Sequence, residues 1–103
     1  MYPDMRKSGW QYETVAASQT DQTLGASGAT GDYLSHLVIT VGTAATAATS
    51  IKDGSGSSIP ILPNSPGSGI GVYTVRIEAN SAAGAWSVTT GAGSTVVAVG
   101  QFT

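Results

Sequence analysis

Cysteine is absent from this chain, and charge is nearly so: its 103 residues include four Lys and Arg and six Asp and Glu. Without cysteine there is no disulfide framework, no thiolate metal site and no cysteine nucleophile, and the redox compartment leaves no trace in the sequence. So few basic residues cannot build the dense basic stripe that displaces counterions from nucleic acid, so no nucleic-acid partner is expected. Leu, Glu, Lys, Arg and Gln, which favour helices, are scarce, and helical periodicity is hard to find anywhere. No membrane partner is expected either. The stretch from Tyr33 to Ile51 lacks Asp, Glu, Lys and Arg, but His36, Gly42 and repeated Thr and Ser break it. A spanning helix needs about 20 predominantly apolar residues. The first ten residues hold no apolar h-region, so no secretory signal is expected there. Asn64-Ser65-Pro66 and Asn80-Ser81-Ala82 both lack the third residue of a glycosylation acceptor.

What fills the chain instead is Gly, Ala, Ser and Thr, which supply more than half of it. Disordered chains are usually charged and poor in apolar residues, whereas this one is 41% hydrophobic. Its charged fraction is 10%, against about 25% for an ordinary soluble domain. The length predicts one domain, since a second core would be too small to hold together. Its surface must tolerate being nearly uncharged, and that is the feature to explain.

Alternation of period two recurs along the sequence and predicts strands. In Tyr33–Val41 one face reads Tyr33, Ser35, Leu37, Ile39 and Val41, and the other Leu34, His36, Val38 and Thr40. In Val72–Ala79, Tyr73, Val75, Ile77 and Ala79 alternate with Val72, Thr74, Arg76 and Glu78, as in a half-buried strand. Further strands are predicted at Tyr12–Ser18, Thr20–Leu24, Ala47–Lys52, Ser58–Leu62, Ala85–Thr90 and Ser94–Phe102. Turn signals separate them, among them Asp53-Gly54-Ser55-Gly56 and the Gly/Pro stretch from Pro63 to Gly69. Pro60 cannot donate a ladder hydrogen bond, which places Ser58–Leu62 at an edge. About eight short strands at spacings near ten residues predict an all-β fold: a single antiparallel sandwich or barrel. Residues 12–103 would form it. Residues 1–11 show no period and carry two of the four basic residues, so they read as an extended N-terminal arm.

Catalytic chemistry finds no support. His36 is the only histidine, and with so many serines a Ser-His-Asp trio can always be drawn without meaning. It reads as a cross-strand or interface residue. The carboxylates are scattered, and Asp32 and Asp53 sit where strand ends or turns would use them. Asp53-Gly54 is most simply a hairpin turn; as a calcium loop it lacks the further carboxylates. Gly25-x-x-Gly28-x-x-Gly31 resembles a phosphate cradle only in glycine content and reads as a linker. No catalytic residue, cofactor or metal is therefore expected. The arm is the candidate site: Tyr2, Pro3, Met5, Arg6, Lys7, Trp10 and Tyr12 combine aromatic and basic residues, which dominate binding energy at interfaces. For Trp10 and Tyr12 the alternative is equally open that they start the first strand and fold back on the core.

The order of segments also resembles a known family. After Trp10-Gln11-Tyr12 and a Gly/Ala/Thr stretch comes Tyr33-Leu34-Ser35-His36-Leu37-Val38-Ile39-Thr40, then Ser50-Ile51-Lys52-Asp53-Gly54-Ser55. A Gly/Pro loop, Val72-Tyr73-Thr74-Val75 and the closing Val96-Val97-Ala98-Val99-Gly100-Gln101-Phe102 follow. Over roughly residues 10 to 103 this is similar to the small all-β decoration, cement or head-stabilising proteins of tailed bacteriophages. Its motifs are short and of low complexity. The resemblance implies a jelly-roll-like sandwich that assembles as a homotrimer on the outer capsid surface of the virion, near three-fold or quasi-three-fold axes. There it would clamp neighbouring major capsid protein subunits against internal DNA pressure, with no catalytic site.

A physical mechanism agrees with it. Sandwiches packed about a three-fold axis bury low-charge faces against their own copies, and three linked arms hold a shell far more tightly than one. Two other functions compete. A receptor- or carbohydrate-binding sandwich of a phage fibre would use rings such as Tyr33, Tyr73 and Trp86, though Tyr73 and Trp86 alternate with inward positions. A structural head–tail component is the other.

Overall fold

The computed structural model describes residues 10–42, 48–62 and 69–103. Among them are eight strands: β1 (Gln11–Val15), β2 (Gln22–Thr23), β3 (Tyr33–Val41), β4 (Thr49–Asp53), β5 (Ile59–Leu62), β6 (Gly71–Asn80), β7 (Trp86–Thr89) and β8 (Ser94–Gln101). β-branched residues and short Gly-containing turns, rather than helix formers, produce this series. The predicted strands fall on the observed ones, with β3 matching end for end. β1 begins at Gln11, which pairs with Gly100, so the sandwich starts one residue earlier than expected, at the last residue assigned to the arm.

The strands form two four-stranded antiparallel sheets in the orders β1-β8-β3-β6 and β2-β7-β4-β5. First pairs with last, second with seventh, third with sixth, and fourth with fifth. The chain is thus one long antiparallel hairpin rolled up so that β8 also pairs with β3 and β7 with β4. That is a jelly-roll sandwich. β5, carrying Pro60, lies at a sheet edge as its missing N–H requires.

The core lies between the sheets. Leu37, Ile39 and Val41 of β3 and Val96 and Ala98 of β8 meet Ile51, Trp86 and Val88 from the other sheet, all buried. Val15, Leu24 and Phe102 belong to the same buried cluster. Trp86 is held in place as well as packed, its Nε1–H donating to the Asp32 carbonyl over 2.9 Å.

One face assignment from the sequence is corrected. Leu34, placed by simple alternation with His36 and Val38, is fully buried. The register of β3 slips against both neighbours between Leu34 and His36. Between those pairings β8 has no residue, β3 has Ser35 and β6 has Ile77 and Glu78. Ser35, which β8 does not match, shifts the period of two in β3, so Leu34 turns inward and Tyr33 outward, while β6 keeps its alternation. Glu78 takes a positive φ of 54° there, the local backbone distortion that a bulge demands.

Candidate functional site: an uncharged sheet face

The outer face of the β1-β8-β3-β6 sheet is built row by row from the register. Tyr12, Val99, His36 and Arg76 lie side by side across its four strands. The next row is Thr14, Val97, Val38 and Thr74, and beyond it Thr95, Thr40 and Val72. At the other end Gln101, Tyr33 and Asn80 align. There the Trp10 ring meets the Tyr33 ring at a centroid distance of 5.9 Å and a tilt of 44°. Trp10 remains 58% exposed and Tyr12 72%. Both predicted anchors, Trp10 and Tyr12, therefore face solvent at one corner of the sheet. Tyr2, Pro3, Met5, Arg6 and Lys7 lie outside the described residues.

Among the described residues, Lys, Arg, Asp and Glu side chains on this face are confined to one margin. Arg76 and Glu78, both on the edge strand β6, pair at 2.6 Å. Such an exposed pair adds little stability, but it neutralises both groups locally. Glu13 of β1 is turned the other way. Its Oε1 accepts from the Gly25 N–H at 2.8 Å and its Oε2 from the Gln22 amide at 2.9 Å, so it ties β1 to the segment around β2. His36 sits between Val99 and Arg76 with Nδ1 3.0 Å from the Ser35 hydroxyl. Ser35 is itself buried at the bulge. The histidine is a cross-strand residue, as its pattern predicts.

The outer face of the second sheet differs in kind. Lys52 reaches Asp21 at 3.2 Å, and the Thr89 hydroxyl donates to the same carboxylate at 3.0 Å. The hydrogen bonds from Lys52 and then Thr89 hold the Asp21 carboxyl below its ordinary range. An open cavity of about 270 Å³ lies beside this pair, lined by Asp21, Thr23, Lys52, Gly54, Ala85 and Ser87. Its walls are polar and carry no aromatic ring. The rings considered for sugar binding are dispersed: Trp86 is only 4% exposed, Tyr73 packs against the core, and Tyr33 lies on the far sheet.

The turn and linker motifs have structural work. The Asp53 carboxylate, at the end of β4, accepts from the backbone N–H groups of Ala82 and Ala83 at 2.9–3.0 Å. These bonds, Ala83's first, hold its carboxyl below the usual range and clasp the β4–β5 turn to the β6–β7 connection. Gly54 follows at a φ of +58°, so close to Ala83 that a Cβ would lie 2.5 Å from its carbonyl carbon. The Gly25–Gly31 stretch wraps the end of β8's extension: Ser27 and Gly28 donate their N–H groups to the Thr103 carbonyl at 3.1 and 2.7 Å. A glycine-rich linker thus serves as a latch.

Both lowered carboxylates contribute stability that is present above their ordinary pKa, near 4, and is lost as pH falls through the folded values. The melting temperature should accordingly stay level from pH 7 to about 5 and fall below about 4. Asp53→Ala should melt lower at pH 7 and show a shallower acid limb, which thermal scans across pH will measure.

Val38, Val97 and Val99 escaped the site prediction although they form the middle of the face. Their signal was an apolar run on both sides of β8, unlike the inward-only pattern of β6. Comparison with family models, curated proteins and solved structures found no match.

Proposed function

We propose that this chain decorates the head of a tailed bacteriophage, sitting on the outer capsid surface as a homotrimer and bridging neighbouring major capsid protein subunits. It does so without catalysis. The observation that carries this reading is the union of a jelly-roll sandwich with a nearly charge-free sheet face. Trp10 and Tyr12 are exposed at one corner of that face. Trp, Tyr and Arg supply most of the energy at protein interfaces, and Arg6, Trp10 and Tyr12 bring all three types together in the sequence. The low overall charge fits a chain that is covered by copies of itself and by a shell.

Three arms on one trimer bind a shell together, and such linkage strengthens attachment by about 100-fold or more over one arm. Removing residues 1–9 should therefore abolish attachment to expanded capsids while leaving a folded trimer, as read by co-sedimentation and native mass. Attachment equal to that of the full chain would clear the arm of this role.

A further inference from the structure

We propose that the open cavity on the outer side of the β2-β7-β4-β5 sheet binds one neutral polyhydroxylated ring, a sugar residue. Its central residue is Ser87. Trp86 and Val88 turn inward from β7, so Ser87 between them turns outward, flanked in the register by Thr23 of β2 and Lys52 of β4. Although it faces outward, Ser87 is only 9% exposed, sunk among the other residues that line the cavity. Among the described residues none hydrogen-bonds its hydroxyl, nor that of Thr23. Polar groups so far withdrawn from solvent nearly always have a partner. The Ser87 hydroxyl is therefore an open hydrogen-bonding position aimed into the cavity.

The other lining groups define what can fill it. Asp21 and Lys52, 3.2 Å apart, set an acceptor and a donor side by side. Asp21 is fixed in place: its backbone is left-handed at a φ of 48°, its N–H donates to Thr89 Oγ1 over 2.9 Å, and its Oδ1 accepts from the same hydroxyl. An entering anion meets the Asp21 carboxylate and an entering cation the Lys52 ammonium, so net charge of either sign is opposed. An apolar ligand would strip water from these groups and return no hydrogen bond. A ligand hydroxyl, by contrast, donates to Asp21 and accepts from Lys52, and Ser87 and Thr23 take either role. Adjacent hydroxyls on one ring match that set. The volume, about 270 Å³, lies just below the roughly 300 Å³ where sites for drug-sized ligands begin, which suits a single ring. With no aromatic side chain among the lining residues, affinity rests on hydrogen bonds and should be about millimolar. The cavity lies on the sheet opposite the uncharged face, so the decoration reading neither requires it nor falls with it.

The test is an NMR titration of the isotope-labelled full chain. The probes are the methyl glycosides of glucose, galactose and mannose, with glycine and inorganic phosphate as charged comparisons. At least one glycoside should shift the amides of Asp21, Thr23, Gly54 and Ser87 along a saturating curve with a midpoint of about 1–10 mM. Ser87→Ala removes the central hydroxyl without adding bulk and should raise that midpoint about tenfold. Thr23→Val, at an exposed position, should raise it as well, and it decides the matter if Ser87→Ala misfolds. Repeating the titration with a polysaccharide of the best sugar separates two sources. Binding of the polymer points to a surface glycan and its exclusion to the free sugar, and either supports the site. Three results would overturn it: no saturating shift from any glycoside, an unchanged midpoint in the variants, or tighter binding of glycine or phosphate than of the sugars.

Discussion

Replacing Gly100 with alanine is expected to lower the melting temperature by roughly 12–24 °C, the shift that about 3 kcal/mol produces in a domain near 100 residues. Gly100 lies in β8, a central strand, and points inward opposite Gln11 and Leu34. A Cβ there would sit 2.0 Å from the Tyr33 carbonyl oxygen and 3.0 Å from the Phe102 ring. The first obstacle is backbone, which cannot rotate away as a side chain would. Relief requires β3 to separate from β8 next to the bulge, at the cost of the ladder bonds that join the sheet's two central strands. Overpacking usually costs about 1–3 kcal/mol, and a backbone clash stands at the top of that range. A melting temperature within a few degrees of the unaltered protein would contradict this packing.

Asp32→Ala should destabilise by a similar amount, about 3 kcal/mol, because it strands several donors at once. The Asp32 side chain is buried and accepts from the N–H groups of Ala29 and Thr103 and from the Thr103 hydroxyl, at 3.0–3.2 Å. Its own carbonyl accepts from the Trp86 indole and from the Ser81 N–H at 2.8–2.9 Å. One residue at the entry to β3 therefore fixes the end of the chain, the linker before it and the largest core ring. Charge-assisted hydrogen bonds of this kind exceed neutral ones, and each abandoned buried donor adds its own desolvation cost. Asp32→Asn keeps one acceptor oxygen and should fall between the two. Urea unfolding monitored by tryptophan fluorescence and circular dichroism measures the difference, and equal midpoints for all three proteins would rule out the latch.

The architecture was legible because the forces that set it are local. β6 alternates without interruption from Gly71 to Asn80, and Gly and Asp mark the β4–β5 turn, so period and turn chemistry place both. The strand pairing order needed the structure, since many arrangements satisfy the same alternation. At Leu34 the alternation misled, because a bulge is a relation between strands and leaves only Glu78's unusual backbone behind. Asp32 and Asp53 were expected at strand ends or turns, yet nothing in their spacing revealed that one binds Thr103 and the other Ala82 and Ala83. The candidate site was half legible. Trp10 and Tyr12 stand out by residue type, whereas Val97 and Val99 gain meaning only once β8 is known to lie inside a sheet whose outer face no described strand covers. The low charge of the whole chain becomes a property of one face, while the opposite face keeps its Lys52–Asp21 pair.

The proposed role is tested most directly by electron cryo-microscopy of expanded phage heads mixed with the purified protein. The decoration reading predicts three-lobed density on the outer shell at three-fold or quasi-three-fold positions, each lobe the size of one sandwich and contacting more than one coat subunit. Bare shells beside folded, active-concentration protein would contradict it.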